Sequence, residues 1–225
     1  MNKVLVVAAH ADDEILGCGG TMAKHADAGD DVAVLFMTDG VGARPNGCSE
    51  DDVTIRESAA IKALNTVGAR LLGRLDLPDN SMDLLARIEI IQLLEPFIQS
   101  FQPNIIYTHH GGDLNVDHRR VLEAVLTACR PQPSVRVDEI YSFEVASSTA
   151  WYGSSLAEGF EPHCYVDITD QLERKLEALQ AYQQEMRDFP HARSLKALEH
   201  QAHWRGSQIG VSAAEGFVVE RKIVR

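Results

Sequence analysis

The pentapeptide His10-Ala11-Asp12-Asp13-Glu14 follows directly on the apolar run Val4-Leu5-Val6-Val7-Ala8-Ala9. A second cluster, His109-His110-Gly111-Gly112-Asp113-Leu114-Asn115-Val116-Asp117-His118, follows another such run, Asn104-Ile105-Ile106-Tyr107-Thr108. Imidazoles and carboxylates are the ligands of a hydrolytic zinc ion, which takes three of them and keeps one position for water. His10 and Asp13 from the first cluster and His118 from the second supply such a set, and the lack of a thiolate suits a catalytic site better than a structural one. Bound zinc lowers the pKa of its water from about 15.7 to roughly 7, so a nucleophile is available at neutral pH. Attack on a carbonyl also needs a proton acceptor within about 3 Å, and Asp12, beside a ligand but pointing differently, is the natural candidate. A helix opening after Asp13 turns its positive N-terminal end toward these carboxylates and favours their ionised form. Glu14 is placed to buttress the loop.

For the two clusters to share one cation, the apolar runs must be strands of one sheet that end at the same edge. Strand-like runs at residues 4–9, 32–37, 70–75, 104–108, 139–143, 164–168 and 217–223 alternate with helical stretches at 14–29, 52–67, 84–101, 116–129, 171–186 and 192–203. Within 52–67, Ile55, Ala59 or Ala60, Ala63 and Val67 share one face. Thr169-Asp170 is placed to cap the helix from 171, and residues 38–49 and 144–161 read as loops. This β-α-β order predicts an α/β fold: a Rossmann-like, doubly wound, mainly parallel sheet with helices on both faces. Ligands bind such sheets outside the carboxyl ends of the strands, where both clusters fall. No repeat or linker interrupts the pattern, so residues 1–225 are expected to form a single domain.

Composition narrows the partners. With 21 basic against 33 acidic residues the net charge is −12, and no basic run is available for a phosphate backbone or an anionic membrane surface. Neither nucleic acid nor membrane is an expected partner. Cys18, Cys48, Cys129 and Cys164 are scattered and form no paired motif, as expected of reduced thiols. The apolar stretch at the N-terminus is too short to span a bilayer and lacks a cleavage site, so a cytoplasmic location is expected.

Taken together, these residues resemble the LmbE-like or PIG-L-type zinc de-N-acetylases. The family hallmark is matched at residues 9–14 and its distal motif at Asn115-Val116-Asp117-His118. Further matches are Gly17-x-Gly19-Gly20, Thr38-Asp39-Gly40, Arg56-Glu57 with a following alanine, and Pro190-His191-Ala192-Arg193-Ser194, so the resemblance spans most of the chain. It implies the LmbE-like deacetylase fold, a homo-oligomer, and one Zn²⁺ per chain on His10, Asp13 and His118, with other divalent metals as substitutes. It also makes Asp12 the general base and Asp117 the residue that orients a ligand. Many members carry a histidine where this chain has Asn115, which stabilises the oxyanion or acts as acid. Asparagine can donate to an oxyanion but cannot shuttle a proton. His191, His109 or His110 would then supply the acid, with His191 preferred.

Arg56 is either near the substrate or a surface helix arginine paired with a carboxylate. Trp151, in the Ser-rich loop beside Tyr152, could stack on the apolar face of a sugar or plug the core, and His110 is a further substrate-binding candidate. The glycines after the first cluster do not match a dinucleotide fingerprint and are expected to serve close helix–sheet packing. His25, His163, His200 and His203 have no convergent partners in the sequence and are expected to be structural or solvated. The expected function is zinc-dependent hydrolysis of an N-acetyl group on a small amino sugar or sugar conjugate of the N-acetylglucosamine type, giving acetate and a free amine. The alternatives are a metal-dependent phosphoesterase and a non-catalytic, metal-dependent sugar-binding relative.

Overall fold

Seven strands form one sheet in the order β3-β2-β1-β4-β5-β7-β6. They are β1 (Lys3–Ala8), β2 (Asp31–Thr38), β3 (Arg70–Leu77), β4 (Ile105–His109), β5 (Glu139–Phe143), β6 (Cys164–Asp167) and β7 (Ala214–Lys222). The computed structural model describes residues 1–43, 49–132, 135–153 and 159–224. Cys48 and parts of the expected 38–49 and 144–161 loops lie outside them. The first five strands run parallel, in the doubly wound order predicted from the sequence. β7 pairs antiparallel with both β5 and β6, so that edge departs from the parallel rule.

The central strand explains the layering. Successive side chains of a strand point to opposite faces, and in β1 every one of them from Val4 onward is apolar. Val4, Val6 and Ala8 enter one core, and Leu5, Val7 and Ala9 enter the other. The first core is closed by α1 (Asp13–Asp27), α2 (Glu50–Val67), α5 (Leu172–Leu179) and α6 (Leu195–Ser207), the second by α3 (Arg87–Phe101) and α4 (Val116–Ala128). Helices therefore cover both faces. Chain order reverses between β1 and β4, and the carboxyl end of that crevice is where such sheets bind ligands.

Several expected boundaries move for identifiable reasons. α2 buries Arg56, Ala60, Ala63, Leu64 and Val67, whereas Ile55 is exposed, so the inward stripe starts one residue later than its hydrophobic pattern suggests. α3 opens at Arg87, after a 3₁₀ turn at Met82–Leu84, because Glu89 reaches back to accept from the Ala86 N–H. The expected 171–186 helix stops at Leu179 and tightens into a 3₁₀ turn, Gln180–Tyr182, that buries the Tyr182 ring. Thr169-Asp170 does not cap α5. The Thr169 hydroxyl donates to Asp167 instead, and Gln171 occupies the capping position. α6 begins three residues later than expected, at Leu195, because the Ser194 hydroxyl accepts from the Ala197 N–H and sets its first turn.

The glycines after the first cluster do serve close packing. A Cβ built on Gly17 would lie 2.2 Å from a ring carbon of Phe143, which is fully buried and also packs against His109. Neither neighbour can move without disturbing the ends of β1 and β4. Gly17→Ala is expected to destabilise the protein by about 1–3 kcal/mol, read as a lower denaturation midpoint. An unchanged midpoint would contradict this account of the packing.

Candidate metal centre

The turn after β1 and the segment between β4 and α4 meet at one buried carboxylate. Asp13 Oδ2 lies 3.0 Å from His10 Nδ1 and 3.1 Å from His118 Nε2, and it also accepts from the His10 backbone N–H at 3.0 Å. Asp13 Oδ1 is buried and has no hydrogen-bond partner. A buried carboxylate oxygen without a donor is costly, and here it sits beside two imidazole nitrogens in a group whose ligand atoms all lie within 4.8 Å of one another.

The other nitrogen of each imidazole is also held. His10 Nε2 contacts Asp117 Oδ2 and Asp79 Oδ1, each at 3.1 Å, while His118 Nδ1 is 3.1 Å from Asp113 Oδ2. Metal-binding histidines characteristically donate their outer N–H to a carboxylate, which fixes the tautomer and aims the inner nitrogen. Both histidines follow that rule, so Asp79 and Asp117 are explained as the outer partners of His10. Asp117 additionally accepts from the Asn80 and Met82 N–H groups, and Asp79 from that of Ala43. Asp117 therefore holds His10 through the imidazole's outer nitrogen while itself fixed by two backbone amides.

His109 completes the packing. Its Nε2 accepts from the Ala9 N–H at 2.8 Å, stitching β4 to β1, and its ring stacks on His118 with centroids 3.9 Å apart. Burial first, then the neighbouring His118 charge, hold its pKa well below the ordinary value. It lies fully buried under the site, its Nε2 committed to the Ala9 amide.

Asp12 has φ of 140°, a backbone conformation rarely taken by residues with side chains, and it is 2% exposed. It stands at the N-cap position of α1, yet its side chain makes no capping bond. Its N–H instead donates to Glu14 Oε2 at 2.9 Å, and Glu14 Oε1 accepts from the Tyr182 hydroxyl at 2.5 Å. Glu14 therefore buttresses the loop through the backbone of Asp12 rather than through a histidine. The freed Asp12 carboxylate accepts from Arg193 Nη1 at 3.0 Å. Burial pushes the Asp12 pKa up, while Arg193 and Arg56 pull against that rise.

Arg56 is 8% exposed and pairs with Glu185 at 2.6 Å, so it is neither a surface residue nor remote from the site. Its guanidinium packs on Gly40, where the positive φ of 68° suits glycine and an added Cβ would lie 3.4 Å from Arg56 and 3.6 Å from His10. Arg56 Nε is buried without a partner.

The remaining expected residues are placed as follows. Asn115 caps α4, its Oδ1 accepting from the Asp117 N–H and its Nδ2 donating to Asn80. Its Oδ1 is committed to the cap, while its Nδ2 gives one of its two hydrogens to Asn80. His191 accepts from the Arg193 N–H through Nδ1, which leaves the proton on Nε2. Its ring meets Trp151 edge-on at 5.5 Å, and Trp151 is 56% exposed, which excludes a core plug. His110 accepts from Gly112 and packs edge-on against Phe160, outside the ligand cluster. Arg193, Glu185, Asp113 and Asp79 had no role in the sequence-based assignment. Two of them, Arg193 and Asp113, lie inside motifs quoted there and could have been weighed. His25 is structural, as expected, pairing with Asp30 and Tyr107.

Comparison with known proteins gives the chain's family and fold. Residues 5–129 match the PIG-L family, described as GlcNAc-PI de-N-acetylase. The uncharacterized deacetylase YaiS of Escherichia coli K12 is 30% identical over 137 residues, covering 59% of this chain and 70% of that protein. The solved N,N'-diacetylchitobiose deacetylase of Pyrococcus horikoshii superposes with a TM-score of 0.79 at 25% identity, covering 97% of this chain and 83% of that one. GalB, the 4-carboxy-2-hydroxymuconate hydratase of Pseudomonas putida KT2440, shares the fold with a TM-score of 0.81 at 23% identity, covering 100% and 98%.

The electrostatics of the metal-free site set a pH dependence. Burial lifts Glu14 from 4.5 to about 8. Burial would lower His118, but the Asp13 charge and hydrogen bonds to Asp113 and Asp13 lift it from 6.5 to about 9. Both native values are raised, and above about pH 6.5, where the unfolded imidazoles have lost their protons and neutral His109 no longer acts in the opposite direction, the native state holds more protons than the unfolded chain, so stability falls as pH rises to about 9. Denaturant midpoints of chelator-treated protein should fall from about pH 6.5 to 9. A midpoint that climbs across that range would contradict the assignment.

Proposed function

Since the chain belongs to the PIG-L family, we propose that it is a zinc-dependent hydrolase that removes an N-acetyl group from a small amino sugar or sugar conjugate, releasing acetate and a free amine. The observation that carries this reading is the Asp13 carboxylate between two imidazoles whose outer nitrogens are tied to carboxylates. His10, Asp13 and His118 fit a divalent cation by donor type, mutual distance and the unpartnered Asp13 Oδ1. Zinc held there would lower the pKa of a water molecule and polarise the amide carbonyl. Because the fold is shared with a hydratase, the case for amide hydrolysis rests on the site's own residues and on the deacetylase relatives.

Those residues divide the work. Asp12, held by Arg193 and freed from helix capping, takes the proton of the attacking water. His191 presents its Nε2–H, suited to donate a hydrogen bond to the substrate, while the proton that Asp12 takes from water is the one passed to the departing amine. Arg56 brings a buried positive charge with an unused Nε–H beside Asp12, suited to a polar group of the substrate. Trp151 offers an exposed ring next to His191, suited to the apolar face of a sugar. A two-metal phosphoesterase is less well supported, because Asp79 and Asp117 already serve His10 and backbone amides.

Asp12→Asn preserves size and should keep the metal while turnover falls by about 10²–10⁴-fold. Metal analysis of the purified variant alongside amine release from an N-acetyl sugar checks both halves. Retained turnover in a metal-loaded Asp12→Asn protein would overturn the assignment of the base.

A further inference from the structure

The loop after β5 carries Trp151, and two of its hydroxyls converge on one oxygen beside the candidate metal centre. Asp113 Oδ2 accepts from Ser148 Oγ at 3.0 Å and from Thr149 Oγ1 at 2.7 Å, and it lies 3.1 Å from His118 Nδ1. Ser148 Oγ is itself 3.3 Å from His118 Nδ1. The other Asp113 oxygen accepts from the Asn115 N–H, and the residue is fully buried. Thr149 Oγ1 also accepts from the Val145 N–H at 2.7 Å, which closes the turn internally, and Leu114 N–H donates to Ser148 O. Arg193 grips the same loop from the far side, donating through Nε to Ser147 Oγ at 2.6 Å.

We propose that the shared Asp113 Oδ2 couples metal binding at His118 to the order of the 145–152 loop, so that each stabilises the other. The inference rests on the metal-centre reading above and adds a positioning role for Asp113 and the loop hydroxyls, none of which is a ligand. The two hydroxyls hold the Asp113 oxygen where it fixes the His118 ring with Nε2 turned toward Asp13. Loss of either hydroxyl lets that carboxylate turn, and His118 loses its aim. In the other direction, a cation on Nε2 keeps Nδ1 protonated and pointed at Asp113, which holds the acceptor that the loop needs. Binding couplings of this kind are reciprocal: the factor by which the latch tightens the metal is the factor by which the metal favours the latched loop. A consequence for function is that Trp151 is presented to substrate in register only when the centre is loaded.

The test is zinc affinity, by competition with a chromophoric chelator, for the wild-type protein, Thr149→Val, the double variant Ser148→Ala/Thr149→Val, and Thr149→Ser. Outer partners of metal-binding histidines typically tune affinity by about 10–100-fold. The double variant is expected to bind zinc roughly tenfold or more weakly, and Thr149→Ser, which keeps the hydroxyl, close to wild type. In the wild-type protein, amide exchange across 145–152 should slow on adding zinc. Equal affinity in all four proteins, or loop exchange indifferent to zinc, would overturn the coupling while leaving the metal centre intact. Failure of the wild-type protein to bind zinc would overturn both. Should the double variant fail to fold, the wild-type exchange experiment alone decides.

Discussion

A carboxylate sealed beneath two imidazoles is the interaction on which the rest of the structure turns. Asp13 is fully buried at the start of a helix, and an isolated charge there would cost far more than a small domain can spare. It is held by His10 and His118, which are held in turn by Asp117, Asp79 and Asp113, and these by backbone amides and loop hydroxyls. Breaking any link leaves a buried polar group without a partner, the costly outcome for such networks. The sheet supplies the frame: β1 and β4 are adjacent and parallel, so the two segments that carry ligands leave the same edge.

How much of this was legible in the sequence depends on how locally each residue is determined. His10, Asp13 and His118 could be assigned because ligand types follow strand-like runs, and a parallel sheet brings such ends together. Arg56 was half legible. It shares the inward stripe 56, 60, 63, 64 and 67 with buried alanines, leucine and valine, a sign that its head is turned into the protein rather than toward solvent. Asn115 illustrates a competing demand. An asparagine directly before a helix is a favoured N-cap, and its Oδ1 is taken up by that local use. Asp12 is the reverse case, a residue at a capping position whose unusual backbone withdraws it from capping.

What stayed hidden came from distant parts of the chain. Arg193 reaches Asp12 from 181 positions away, Glu185 meets Arg56 on α2, and Asp113 acquires its meaning only when Ser148 and Thr149 fold onto it. The antiparallel β7 was equally opaque, since an apolar run does not encode the direction of its pairing at a sheet edge. The fold is broader than the chemistry: a hydratase and deacetylases share it, so function must be argued from side chains. In this chain they gather a metal-grade cluster, a carboxylate freed from helix capping, one buried arginine and one partly buried arginine.

The most direct test is amine release from a panel of N-acetylated sugars and sugar conjugates, comparing zinc-loaded with chelator-treated protein. The account predicts release of amine and acetate that is lost on chelation and restored by zinc. Release unaffected by chelation, or none from any N-acetyl substrate by protein with zinc demonstrably bound, would contradict it.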